Sequence, residues 1–376
     1  MDLIFWLDAP PVCCRGIFDI AGNKWQGKSY YVCSGQSDAN RLKILGGNET
    51  FGKIQMITLE GLENKEEFVS SFIKNHLEDI HIFNGYKSST AKYLDLLLKL
   101  NNKAKTVVWA ERPCPKWKAK FPWSLYHRFY ARKYKNKITA MLPLGIKGIE
   151  QYKKYGWPEE KLFPFLYLPV MNETLAESPR KEKEDKIIKF IFLGRFSAGP
   201  KGTDILMEAC KYLKHNNYTL EMTGGYGDLK DAVLAWIEKM PNVSFGGTWP
   251  IAEACDRLHN YDVCIVPTRY EGWNVTVNEA LMASIGCISS DEAVSDEMIK
   301  YSKAGAIVKA CDAKELAQAM DKVMENPSII NEWKAAAYKY RKHMTAETNA
   351  DYFIAVLNYL FKEKATGPKP KAPWII

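Results

Sequence analysis

The sequence predicts an α/β protein made of two doubly wound parallel-sheet domains, and three observations predict it. With 376 residues, the chain is too long for one ordinary doubly wound domain and about right for two of ~150 to 200 residues each. Short β-rich runs alternate with helical stretches through both halves, and strand and helix taking turns build a parallel sheet. Between the halves, Ser178 to Lys186 is a charged run without apolar residues, which reads as an interdomain hinge or as a surface loop.

In the first half, strands are expected near Leu3–Leu7, Tyr30–Cys33, Ile54–Thr58, Ile80–Phe83, Thr106–Trp109 and Ile138–Met141. Between them, Glu63–Leu77, Ala91–Leu100 and Ile146–Tyr155 place apolar residues at three- and four-residue spacing and read as crossover helices. In the second half, strands are expected at Ile187–Leu193, Leu220–Met222, Val243–Phe245, Val263–Val266, Cys287–Ser289 and Ala306–Val308. Ile205, Leu206, Ala209, Cys210 and Leu213 form one helical stripe; Leu229, Val233, Trp236, Ile237 and Met240 form another. Lys314 to Lys364 is helical in pattern, and the prolines of Gly367–Pro373 stop regular structure.

Composition narrows the class. Apolar residues make up 47% and aromatics 12%, enough for two cores and unlike a disordered chain. The nine cysteines include no CxxC pair, which argues against a zinc ribbon or redox motif and suits reduced thiols in the cytoplasm. The start, Met-Asp-Leu-Ile-Phe-Trp-Leu-Asp, is a poor signal peptide and a good buried strand. The longest apolar stretch, Phe163 to Met171, is short of the ~20 residues that span a bilayer, so membrane contact would be peripheral.

Net charge is +8, and from Arg112 to Lys137 there are nine Lys/Arg and no Asp or Glu. Aromatic residues from Trp117 to Tyr134 are interleaved with these cations. Three readings stand side by side: a solvated helix face with aromatics packed inward, an anionic lipid surface or lipid-linked acceptor, and nucleic acid.

Two segments carry chemistry. Pro267 to Gly286 runs from a buried strand through a loop into a helix, at the edge where parallel sheets bind ligands. A helix starting near Asn274 or Thr276 would point first-turn N–H groups at a pyrophosphate. Glu279, one turn in, can accept both hydroxyls of a ribose diol, and Glu271 on the loop can face a sugar hydroxyl. Helix capping and dipole compensation account for the same two acids without a ligand. The second segment, Phe192 to Asp204, sets Arg195 and Lys201 after another strand, where fixed cations would stabilise a leaving diphosphate or simply favour solubility.

Together these segments resemble the retaining glycosyltransferases of the GT-B class, family 4. Glu271 and Glu279, with seven residues between them, look like that family's E-x7-E signature. Gly272-Trp273-Asn274 stands where the family has Gly-Phe-Gly, Leu193-Gly-Arg-Phe…Lys-Gly matches its phosphate-binding strand end, and Gly224-Gly-Tyr-Gly227 is similar to its Gly-x-Gly turn. The likeness is strong over 187–300 and looser before it.

What the resemblance implies is two Rossmann-like domains facing each other across a cleft. Residues 1–177 would bind the acceptor, 178–186 link, 187–345 bind the nucleotide-sugar, and 346–376 return a helix to the first domain, ending in a Pro/Lys-rich tail. Arg195, Lys201 and Glu271 become the catalytic candidates. Gly16, Glu111, Gly225, Gly272, Trp273, Asn274, Val275 and Glu279 become the donor-binding ones. Gly16 stands in the place of the glycine loop after the first strand, and Glu111 near that of a family histidine. His81 reads as a core histidine.

No metal or other cofactor is implied, in keeping with the absence of an Asp-x-Asp motif. The implied partners are a nucleoside-diphosphate sugar and a glycan or lipid-linked acceptor, with an anionic membrane surface met through 112–137 and no nucleic acid. The implied location is the cytoplasm, at the inner face of the membrane. Two other readings use the same contacts: a nucleotide-sugar epimerase or hydrolase, and a binding scaffold without turnover.

Overall fold

A computed structural model describes residues 1–11, 13–35, 51–113, 123–168, 187–362 and 367–376. The expected hinge at 178–186 lies outside the described residues, as do Lys116, Lys118, Lys120, Trp117 and Phe121. The chain forms two compact units. One comprises Met1–Val170 with Ala346–Pro373, and the other Met171–Thr345 with Trp374–Ile376.

The first unit holds six strands: β1 (Leu3–Leu7), β2 (Ser29–Cys33), β3 (Gln55–Thr58), β4 (Ile80–Asn84), β5 (Lys105–Ala110) and β6 (Ala140–Pro143). They are ordered β3-β2-β1-β4-β5-β6, and every pairing is parallel. Residues 3 to 7 of β1 are all buried, because helices on both faces of a parallel sheet leave no solvated side. The expected Ile138–Met141 strand is displaced to Ala140–Pro143. It is the last strand in the sheet order, and on its outer side the Met141 and Pro143 carbonyls accept the Phe163 and Phe165 amides at 3.0 and 2.8 Å.

His81 on β4 is a core residue, as expected. Its Nδ1 accepts from Trp6 Nε1 at 3.0 Å, so Nε2 carries the proton and donates to the His76 carbonyl at 2.8 Å. Burial pushes its pKa down to about 4, and the ring is a neutral bridge inside the sheet layer. Helix Ala346–Phe361 packs on helix Arg15–Lys24, with Phe353 5.4 Å from Phe18 and Lys24 bound to Asp351 at 2.7 Å. Tyr352 also donates to the Pro164 carbonyl at 2.9 Å. After this helix the tail ends in the second unit, where the buried indole of Trp374 donates to Glu297 Oε1 at 2.9 Å.

The second unit repeats the plan with β7 (Ile188–Leu193), β8 (Tyr218–Thr223), β9 (Val243–Phe245), β10 (Val263–Val266), β11 (Gly286–Ser290) and β12 (Gly305–Val308), ordered β12-β11-β10-β7-β8-β9. The expected helix stripes lie on Thr203–Cys210 and Lys230–Ile237. In the second of these only Val233 is fully buried, while Leu229, Trp236, Ile237 and Met240 pack partly buried against the core.

Beneath this sheet Lys334 Nζ meets Asp262 Oδ1 at 2.9 Å, with both side chains nearly sealed from solvent. The other Asp262 oxygen accepts the Lys189 amide at 2.9 Å. Removing one partner of such a pair strands a buried charge, so Lys334→Met is expected to cost about 3–5 kcal/mol. A urea midpoint equal to wild type would contradict that. Among the described residues, no helix is long and apolar enough to cross a membrane.

Candidate active site

In a doubly wound sheet, ligands gather where successive strands depart in opposite directions. In the second unit that point lies between β7, which leads to β8 on one side, and β10, which leads to β11 on the other. The two segments singled out by the sequence follow these two strands.

The loops after β7 and β10 are pressed together by small residues. Gly202, at φ +64°, caps helix Thr203–Cys210, and a Cβ there would sit 2.1 Å from the Pro267 carbonyl oxygen. Only glycine tolerates both the left-handed backbone and the approach. Gly224 (φ +134°) packs its backbone in the same way on Gly194, and Gly225 follows it at φ +76°. Polar ties then lock the loops. Arg269 grips Asp204 through two bonds of 2.6 Å, and its amide donates to the Pro200 carbonyl at 2.9 Å.

This frame brings Lys201 Nζ to 2.8 Å from Glu271 Oε1, with each side chain 18% exposed. The Glu271 amide is itself bound to the Glu292 carbonyl at 3.1 Å. Glu279 lies on the helix Val275–Met282 and is buried. Desolvation raises its pKa from 4.5 to about 7, and the Lys201 charge pulls the other way. Lys201 thus serves both acids. Arg195 is exposed at the rim of β7; its charge adds to the Ser197 hydroxyl in holding the Asp228 carboxyl below its ordinary range.

The helix begins where expected, with Asn274 as its cap. The Asn274 side chain accepts the Thr276 amide at 3.0 Å and donates to the Thr268 hydroxyl at 3.1 Å, a local cap of the usual kind. Trp273 turns inward, its indole donating to Asn278 Oδ1 at 3.0 Å. What Gly272, Trp273, Asn274 and Val275 can offer a ligand is therefore mainly backbone. The sequence reading missed Arg269 and Asp204, whose pairing spans 65 positions and leaves no local pattern.

The remaining candidates lie in the first unit. Gly16 is in the first turn of helix Arg15–Lys24 and not in a loop, and its amide is spent on the Leu168 carbonyl at 3.1 Å. That corrects its reading as a phosphate-facing glycine: a bonded helical N–H is not open to a ligand. Glu111 follows β5 and lines a cavity of about 470 Å³ at the sheet's C-terminal edge, its Oε1 accepting from the Tyr167 hydroxyl at 2.8 Å. Among the described residues, one trio could share an ion: Asp2, His76 and Asp79. It stands at the opposite edge of that sheet, and Asp79 already binds the Asp2 amide and the His76 ring, each at 2.7 Å.

Comparison with known proteins bears on the fold that carries these residues. Residues 173–340 match the family model "Glycosyl transferases group 1". An "Uncharacterized 41.2 kDa protein in cps region" of Klebsiella pneumoniae is 28% identical over 149 residues, a stretch covering 40% of this chain and 40% of that relative. A glycosyltransferase from Rickettsia africae ESF-5 superposes with TM-score 0.71 at 16% identity, over 96% of this chain and 99% of that one. Anabaena Alr3699/HepE in complex with UDP gives 0.73 at 13% identity, over 94% and 98%. WaaG, a glycosyltransferase involved in lipopolysaccharide biosynthesis, gives 0.66 at 14%, over 96% and 100%. The fold is therefore that of the GT-B glycosyltransferases, and it is residues 173–340 that are similar to the glycosyl transferases group 1 family.

Proposed function

We propose that the chain is a retaining glycosyltransferase that moves a sugar from a nucleoside-diphosphate donor to a glycan or lipid-linked acceptor without a catalytic metal. The observation that carries this reading is the convergence of Lys201, Glu271 and buried Glu279 where β7 and β10 diverge. A cation beside two acids suits a ligand that is anionic at one end and rich in hydroxyls at the other.

In this reading Lys201, with Arg195 at the rim, stabilises the negative charge that grows on the diphosphate as the anomeric C–O bond breaks. Glu279 accepts the ribose diol, and Glu271 accepts a hydroxyl of the transferred sugar. The bonding pair leaves with the phosphate. The acceptor oxygen then attacks the face just vacated, and the leaving phosphate takes the acceptor's proton. No enzyme nucleophile is required.

The Anabaena relative was crystallised with UDP, and the Klebsiella relative is named for a cps region. Uridine donors and surface-polysaccharide acceptors therefore head the panel. A ligand that prefers the folded state raises the melting temperature, so one nucleoside diphosphate is expected to stabilise the protein. No shift with any of uridine, guanosine, adenosine, cytidine or thymidine diphosphate would count against the reading.

A membrane role for the basic segment draws on one surface. On helix Trp123–Tyr134, Leu125 and Phe129 are 62% and 61% exposed. Arg128 and Arg132 are exposed on the same stripe, the combination that rests on anionic headgroups. Replacing both arginines with Gln is expected to weaken binding to phosphatidylglycerol vesicles by about thirtyfold, with donor binding unchanged. Equal vesicle binding would reject this role.

A further inference from the structure

The cavity beside Glu111 has walls that the donor chemistry does not use. Its volume, about 470 Å³, is within the ~300–1000 Å³ range of small-molecule pockets. Tyr86, Trp109 and Tyr167 give it aromatic faces, and Asp8, Lys87 and Glu111 bring charge to it. Aromatic faces suit the C–H surface of a pyranose ring.

The charged groups are held in place. Asp8 Oδ1 accepts from the Ser89 amide at 2.9 Å and from the Ser89 hydroxyl at 2.5 Å. The Lys87 ammonium lies 4.1 Å from the centre of the Tyr126 ring and 3.3 Å from His127 Nε2. With Nε2 accepting, His127 Nδ1 carries the proton toward the Tyr86 hydroxyl, 3.2 Å away, and the ring stacks on Tyr155. His127 is neutral, its pKa pushed down to about 4 by burial and by the Lys87 charge. Burial lowers Lys87 to about 8, so at neutral pH it remains a cation.

Among the described lining residues, two carboxylates and one ammonium carry one net negative charge. A carboxylate only accepts hydrogen bonds and an ammonium only donates them, whereas a hydroxyl does both. An uncharged sugar can satisfy all three groups. A uronate or phosphate could bind Lys87 but would be repelled by Asp8 and Glu111.

We infer that this cavity takes an uncharged sugar ring of the acceptor, with Asp8 and Lys87 holding its hydroxyls and the two carboxylates turning anionic sugars away. The inference rests on the transferase reading for the word acceptor, and on the first unit alone for the ligand's chemistry. His127 acts as a positioning residue for Lys87.

The test is saturation-transfer NMR on the full chain, with methyl β-glucopyranoside and methyl β-galactopyranoside as neutral probes and glucuronate and inorganic phosphate as anionic ones. At least one neutral glycoside is expected to bind, with glucuronate roughly tenfold weaker, the order of one hydrogen bond to a charged group. Asp8→Asn and Lys87→Met are each expected to weaken the neutral probe by a similar factor, and Asp8→Asn with Glu111→Gln to admit glucuronate. If a variant unfolds, shifts of the His127 and Trp109 ring resonances in the wild type report the same contact.

Four results would overturn the inference: no transfer to either neutral glycoside, tighter binding of an anionic probe, an unchanged neutral signal in both single variants, or glycoside shifts that spare His127 and Trp109. Nucleoside diphosphate binding is read in the same samples. Its absence beside intact glycoside binding counts against the transferase reading and leaves the cavity's ligand standing. Intact donor binding with any of the four results above does the reverse.

Discussion

Lys201→Ala is expected to reduce sugar transfer by about 10² to 10³, the usual cost of removing a group aimed at charge that develops in the transition state. The structure gives the cation two further duties. It pairs with Glu271 at 2.8 Å, and its field opposes the upward shift of the Glu279 pKa. The alanine variant therefore leaves Glu271 without this partner and drives Glu279 further toward its neutral form. Lys201→Arg keeps the charge but not the compact ammonium, so an intermediate rate is expected. Steady-state kinetics with the donor found in the thermal screen decide the matter, and wild-type turnover in Lys201→Ala would remove the diphosphate assignment.

Glu279→Gln is expected to split stability from function. The carboxyl titrates at 4.5 in its ordinary state and at about 7 in the fold, because burial penalises the charge. Between these values the folded state holds the additional proton, so ionising Glu279 subtracts stability as pH rises, and the loss levels off above 7. The glutamine variant avoids that loss. It should be more stable than wild type above pH 7 by at most ~3 kcal/mol, and no more stable below pH 4.5.

The same variant gives up one acceptor of a ribose diol, so its donor affinity should fall roughly 10- to 100-fold. In the wild type, donor binding should strengthen as pH rises toward 7, because the diol donates to the ionised carboxylate. Urea midpoints at pH 4.5 and 8 test the first part and donor titrations across that range the second. A variant that is less stable at pH 8, or that binds donor as well as wild type, would contradict the role given to Glu279.

Much of the fold was legible because buried parallel strands announce themselves as short apolar runs. Leu3–Leu7, Val243–Phe245 and Val263–Val266 have the expected bounds. The start of the helix bearing Glu279 was equally plain, since Asn274 is a residue that caps helices through its side chain. Strand ends were less so. The displacement to Ala140–Pro143 depends on β6 being last in the sheet order, a tertiary fact.

The site was legible in part. Lys201, Glu271 and Glu279 announce chemistry by residue type after a strand, but their convergence depends on Gly202 meeting the Pro267 carbonyl and on Arg269 gripping Asp204. Neither tie has a periodic trace. Gly16 misled because a glycine after a first strand suits a loop, whereas here the helix begins one residue earlier, at Arg15. The Lys87–His127 pairing joins positions 40 apart, and nothing in either local stretch foretells it.

The central claim is that one diphosphate and one ribose are held by the second unit alone, where β7 and β10 part. A crystal structure of the protein with UDP, or with whichever nucleoside diphosphate gives the largest thermal shift, tests it most directly. The account predicts a diphosphate oxygen within hydrogen-bonding distance of Lys201 Nζ and both ribose hydroxyls on the Glu279 carboxylate. A nucleotide bound elsewhere, with Lys201 still closed on Glu271 and Glu279 untouched, would contradict it.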